Sequence, residues 1–103
     1  MGWQKPVKLV LTYDVKPDSP AYFQFVTGRY VPLMQSMGFE MKDAWMTGYG
    51  DYPNRLLEFV ARDEQAVIDL EDNPAWASLN EHLQKYVTNF SYKFVPYREG
   101  FQF

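Results

Sequence analysis

The chain has no cysteine and only one histidine among its 103 residues. Without cysteine there can be no disulfide, no thiolate nucleophile and no cysteine–metal site, which suits the cytoplasm. Positive charge is also scarce. Ten Lys and Arg stand against 13 Asp and Glu, a formal net charge of -3, and the basic residues are scattered and form no stripe. Nucleic acid, whose phosphates must be met by clustered cations, is therefore not an expected partner. No apolar run approaches the ~20 residues that span a bilayer, and Met1–Val7 shows no signal-peptide pattern, so no membrane partner is expected either. Linkers and low-complexity stretches are missing too, and the expectation is a single domain over residues 1–103.

Aromatic rings are abundant. Eight Tyr, eight Phe and three Trp make up 18% of the chain, within a hydrophobic content of 47%. Tyr and Trp in excess suit a pocket or an interface, and they also pack large cores.

Their arrangement reads as two similar halves. Strand, helix and strand over Val7–Val15, Ser19–Met37 and Phe39–Tyr49 are followed by strand, helix and strand over Arg55–Arg62, Asp63–Val87 and Asn89–Tyr97. Val7, Leu9, Leu11, Tyr13 and Val15 alternate with Lys8, Thr12 and Asp14, the period of a strand. Ser19-Pro20 reads as a cap and first turn, and Phe23, Val26, Tyr30, Leu33 or Met34, and Met37 as one helical stripe. Pro32 should kink that helix or end its first segment, and Gly38 should close it. Phe39, Met41, Trp45 and Tyr49 alternate as a second strand. Gly48, Gly50, Asp51, Pro53 and Asn54 then supply turn chemistry. Ala66–Leu70 forms a short helix, capped by Asp63 or Asp72 upstream or downstream. Asn73-Pro74 restarts a second helix carrying Trp76, Leu79, Leu83, Tyr86 and Val87. Phe90, Tyr92, Phe94 and Tyr97 form the last strand. Two βαβ-like halves of this length predict an α+β sandwich, with both helices on one face of a four-stranded antiparallel sheet.

Two helices cover only one sheet face. The other would carry Val10, Ala44, Met46, Leu56, Val60, Val95 and Tyr97 among Lys8, Glu40, Lys42, Glu58 and Lys93, a half-apolar patch larger than monomers usually expose. Burying some ~500 Å² of it would gain about 10 kcal/mol before association costs. A two-fold homodimer is the simplest way to hide it. A one-sided sheet with a solvated outer face is the alternative.

Element order, length, the broken second helix at Asn73-Pro74-Ala75-Trp76 and the mixed outer face resemble the dimeric α/β-barrel superfamily. This group of ferredoxin-like βαββαβ domains closes two sheets into one barrel. It includes antibiotic-biosynthesis monooxygenases, heme-degrading monooxygenases, muconolactone isomerase-like enzymes, stress-responsive barrel proteins and the NIPSNAP-like family. The resemblance implies a homodimer. Heme degradation is disfavoured, because the Asn, Trp and His of that branch fall near Val10, Ala61 and Asn80. His82 lies two residues past the expected place, roughly 200° around a helix.

Tyr13, Trp45, Tyr49 and Tyr92, with Phe23, Tyr30 and Trp76, are the candidates to line a ligand cleft between sheet and helices; core packing is the competing reading. Arg29 and Arg55 are candidates to hold an anionic group, against ordinary surface salt bridges. Asp14, Asp43 and His82 are the only suppliers of a proton-moving group. His82 lacks a second His or a suitably spaced carboxylate, so no metal is expected, and no cofactor. The leading expectation is a homodimer binding a small apolar or aromatic molecule. A cofactor-independent monooxygenase or isomerase acting on a small aromatic or polyketide-like substrate is the second reading. A structural or interaction module without ligand is the third.

Overall fold

The computed structural model describes residues 5–47 and 54–97. Its elements are β1 (Val7–Val15), α1 (Ala21–Phe25), a π-helical turn (Val26–Tyr30), α2 (Val31–Ser36), β2 (Phe39–Thr47), β3 (Asn54–Ala61), α3 (Glu64–Glu71), α4 (Pro74–Leu83) and β4 (Val87–Pro96). The four strands pair antiparallel in the order β2-β3-β1-β4. All helices lie on one face, which makes this the ferredoxin-like α+β fold expected from the sequence.

The core sits between that face and the helices. Leu9, Leu11 and Tyr13 of β1 and Leu57, Phe59 and Ala61 of β3 meet Tyr22, Phe25, Val26, Tyr30 and Met34 of the first helical run. Leu70, Trp76, Leu79 and Leu83 come from the second. On the other face Val10 is buried, while Lys8, Thr12, Leu56, Glu58, Val60, Val95 and Tyr97 are half-buried. Lys8 Nζ lies 3.7 Å from the Glu58 carboxylate and 5.9 Å from the centre of the Tyr97 ring.

The first helical run departs from expectation in an instructive way. The buried positions Tyr22, Val26, Tyr30 and Met34 advance in steps of four. In an α-helix each such step overshoots a full turn by about 40°, so the stripe would rotate off the core. A π turn absorbs the excess: Val31 N–H bonds to the Val26 carbonyl, five residues back. The wide turn also accommodates Pro32, which lacks an N–H and enters in the first turn of α2. The kink expected at Pro32 thus takes the form of a π turn just before it. Ser19 does not cap α1. Pro20 occupies that position, and the Ser19 hydroxyl donates instead to the Tyr86 carbonyl at 3.5 Å. Phe23, assigned to the buried stripe, is 69% exposed, because Tyr22 takes the inward position. Gly38 closes α2 as expected, at φ 86.

Both expected caps of the second run are present: Asp63 accepts from Ala66 N–H at 3.2 Å and Asn73 from Ala75 N–H at 2.9 Å. Val87 belongs to β4, not to the helix; it pairs with Val15.

Two bulges break the strand alternation. The β1–β4 register shifts between Thr12 and Asp14, where Asn89 adopts a left-handed φ of 56. The β2–β3 register shifts between Met41 and Asp43, which brings Ala44 opposite Leu57 and Trp45 opposite Leu56. Ala44 thereby moves to the helix-side parity, not the bare face, and the backbone of Trp45 leaves the parity of Phe39 and Met41.

Candidate functional site

The helix side of the sheet holds a cleft of about 410 Å³ between the first helical run and strands β2 and β3. Its walls are Tyr22, Phe23, Val26, Thr27, Val31, Met41, Ala44, Arg55 and Leu57. Three local events open it. Tyr22 rather than Phe23 points inward, which leaves the Phe23 ring at the mouth. The π turn spaces Val26 and Val31 along one wall. The β2 bulge puts the small side chain of Ala44 opposite Leu57, where a larger residue would fill the space.

Arg55 is the one charged residue in these walls. Its guanidinium carbon lies 5.8 Å from the centre of the Tyr22 ring, and its Nη1 is buried without a hydrogen-bond acceptor. Behind Tyr22 sits Tyr13, 2% exposed, the two hydroxyls 2.7 Å apart and the rings edge to face. Burial first, then the neighbouring Tyr22, pushes the Tyr13 pKa far above that of an ordinary phenol. The pair stays neutral at physiological pH and can share hydrogen bonds, but it cannot supply a phenolate.

The aromatic candidates do not converge on one cavity. Phe23 lines the cleft and Tyr13 backs it. Tyr30 and Trp76 form a separate, filled network: Tyr30 Oη donates to Asn80 Oδ1 at 2.6 Å and accepts from Trp76 Nε1 at 2.9 Å. Burial raises the Tyr30 pKa, partly opposed by the Trp76 bond. Tyr92, 42% exposed, sits edge-on to Trp76 at 5.1 Å on the β4 side. Tyr49 lies outside the described residues, as does the side chain of Trp45.

The candidate proton carriers are also dispersed. The Asp14 carboxylate accepts from Asn89 Nδ2 at 2.9 Å, and Asp43 Oδ1 accepts from the Ala44 N–H at 3.0 Å at an exposed position. His82 stacks on Phe25 with ring centres 4.5 Å apart, its Nε2 3.2 Å from Tyr86 Oη. Desolvation there, with the nearby charges of Lys85 and Arg29, holds its pKa below the usual histidine value. Arg29 covers the Phe25 ring at 5.6 Å. None of these groups lines the cleft.

Tyr22, Val26, Val31 and Met41 were the lining residues the sequence reading missed. The recoverable signal was the four-residue spacing of 22, 26, 30 and 34, a pattern that an α-helix cannot keep on one face. Two other hollows, of 530 and 580 Å³, both take Pro6 into their walls. They mix apolar residues with charges of both signs: Glu40, Lys42 and Arg62 in one, Lys5 and Glu64 in the other.

Solved structures of the same fold fall in two groups. A NIPSNAP family protein of unknown function from Agrobacterium tumefaciens superposes with a TM-score of 0.64 at 15% identity, covering 89% of this chain and 87% of that one. SnoaB, a cofactor-independent oxygenase from Streptomyces nogalater, gives a TM-score of 0.68 at 19% identity, covering 91% and 94%. A candidate antibiotic-biosynthesis monooxygenase from Caulobacter crescentus gives 0.68 at 11%, covering 93% and 92%. These are the groups named by the resemblance, and the likeness defines the fold. No protein-family model and no curated protein matches the sequence.

Proposed function

We propose that this protein is a homodimeric barrel protein that binds a small apolar or aromatic molecule in the cleft between its first helical run and strands β2 and β3. The apolar character of that cleft carries the reading. A cavity of about 410 Å³ walled by Val26, Val31, Met41, Leu57 and the Phe23 ring is within the size of small-molecule sites. An aromatic at its mouth that is 69% exposed gains burial when a ligand arrives.

The half-apolar outer face supports the dimer. Val10, Leu56, Val60 and Val95 occupy it, and no helix crosses it among the described residues. The cofactor-independent oxygenase reading draws on the fold of SnoaB alone. Its proton-moving step has no supplier among the cleft walls, since Asp14, Asp43 and His82 lie elsewhere.

The test is a titration with neutral naphthalen-2-ylmethanol, followed by methyl NMR. The expected result is shifts concentrated at Val26, Val31, Met41 and Leu57, with Leu79 and Leu83 unmoved. Phe23→Ala should weaken binding several-fold and leave the melting temperature unchanged. Shifts scattered over the surface, or none, would contradict the reading.

A further inference from the structure

We infer that the cleft selects ligands carrying an anionic oxygen, received by Arg55. This rests on the cleft reading above and adds the chemical class of what enters. A guanidinium is always protonated at physiological pH, and its five N–H donors have a fixed fork geometry suited to a carboxylate. Arg55 brings that charge to walls that are otherwise apolar or uncharged, and no carboxylate balances it there. Among the described residues it has no ion-pair partner, and its Nη1 is buried with no acceptor.

Buried donors are almost always paired, and an exception that lines a cavity points to a missing acceptor. The Tyr22 ring, 5.8 Å away, offers its π face to the cation but no lone pair to Nη1. The Tyr22 hydroxyl, the nearest candidate on that wall, is engaged with Tyr13. Position adds to chemistry. Arg55 opposite Tyr13 in the β1–β3 register sits on the helix side of the sheet, on the same strand face as Leu57. An apolar body against Val26, Val31 and Leu57 would leave an acidic end at the guanidinium. Nη1 itself lies beneath the water-accessible surface, so the acceptor reaches it as the Arg55 fork turns toward the cleft and the exposed Phe23 ring gives way. The ligand class is a small apolar or aromatic acid.

The probes are naphthalene-2-carboxylate and its neutral counterpart naphthalen-2-ylmethanol, titrated at fixed ionic strength. The wild-type protein should bind the carboxylate at least 10-fold more tightly. Arg55→Met should abolish that preference while keeping the alcohol's affinity within about twofold, and Arg55→Lys should retain part of it. Equal affinities in the wild type would overturn the inference and leave the cleft reading intact, as would a preference that survives in Arg55→Met. Failure of the folded wild type to bind either compound would overturn both. The wild-type comparison decides the matter even if a variant does not fold.

Discussion

Tyr30 carries two hydrogen bonds on one oxygen, accepting from the Trp76 indole and donating to Asn80, and so ties the first helical run to α4 through the core. Such a buried group is costly to disturb, because its removal strands both partners. Tyr30→Phe should therefore destabilise the protein by about 1–3 kcal/mol, the desolvation penalty of unpaired donors and acceptors, read as a lower midpoint in urea with an unchanged slope. A change below about 0.5 kcal/mol would mean that water or a rotated Asn80 replaces the phenol. Arg55 is the contrasting case. Its buried Nη1 has no such partner, and the difference between a satisfied and an unsatisfied buried donor separates the core network from the cleft.

At the scale of elements, the π turn is the device that shapes the site. It keeps Tyr22, Val26, Tyr30 and Met34 on the core through steps that would otherwise precess. Gly28 lies in this turn at an exposed position, and a Cβ there would meet nothing within 4 Å. Gly28→Ala should raise stability by about 0.4–1 kcal/mol by restricting the unfolded chain, while Gly38→Ala, at φ 86, should lower it. Thermal melts of the two variants would check both signs.

Strand alternation, the Asn73-Pro74 restart and the Gly38 stop are local chemistry, so they were legible in the sequence and placed all four strands and both helical runs. The bulges at Met41–Asp43 and Thr12–Asp14 were not, because a one-residue slip in strand pairing leaves no mark on composition. That slip moved Ala44 to the cleft. The exchange of Tyr22 for Phe23 was hidden for a related reason: both are aromatic, and only the helix's exact rotation chooses between them. The sequence did single out Arg55 as a possible anion holder, but burial was needed to separate it from Arg29, which is spent on the Phe25 ring.

At the scale of the whole molecule, one face of the sheet is packed by helices and encloses the cleft, and the other presents Val10, Leu56, Val60 and Val95 beside the Lys8–Glu58 ion pair. A surface pair of this kind contributes at most about 1 kcal/mol, so apolar burial has to dominate any association across that face. The two faces have separate roles in the proposed function, the outer one in assembly and the inner one in binding. Native mass spectrometry of the freshly purified protein, with naphthalen-2-ylmethanol added in a second run, tests the two together. The account predicts twice the chain mass, with one added probe, or one co-purified molecule, per protomer. A bare monomer that takes up no probe would contradict it.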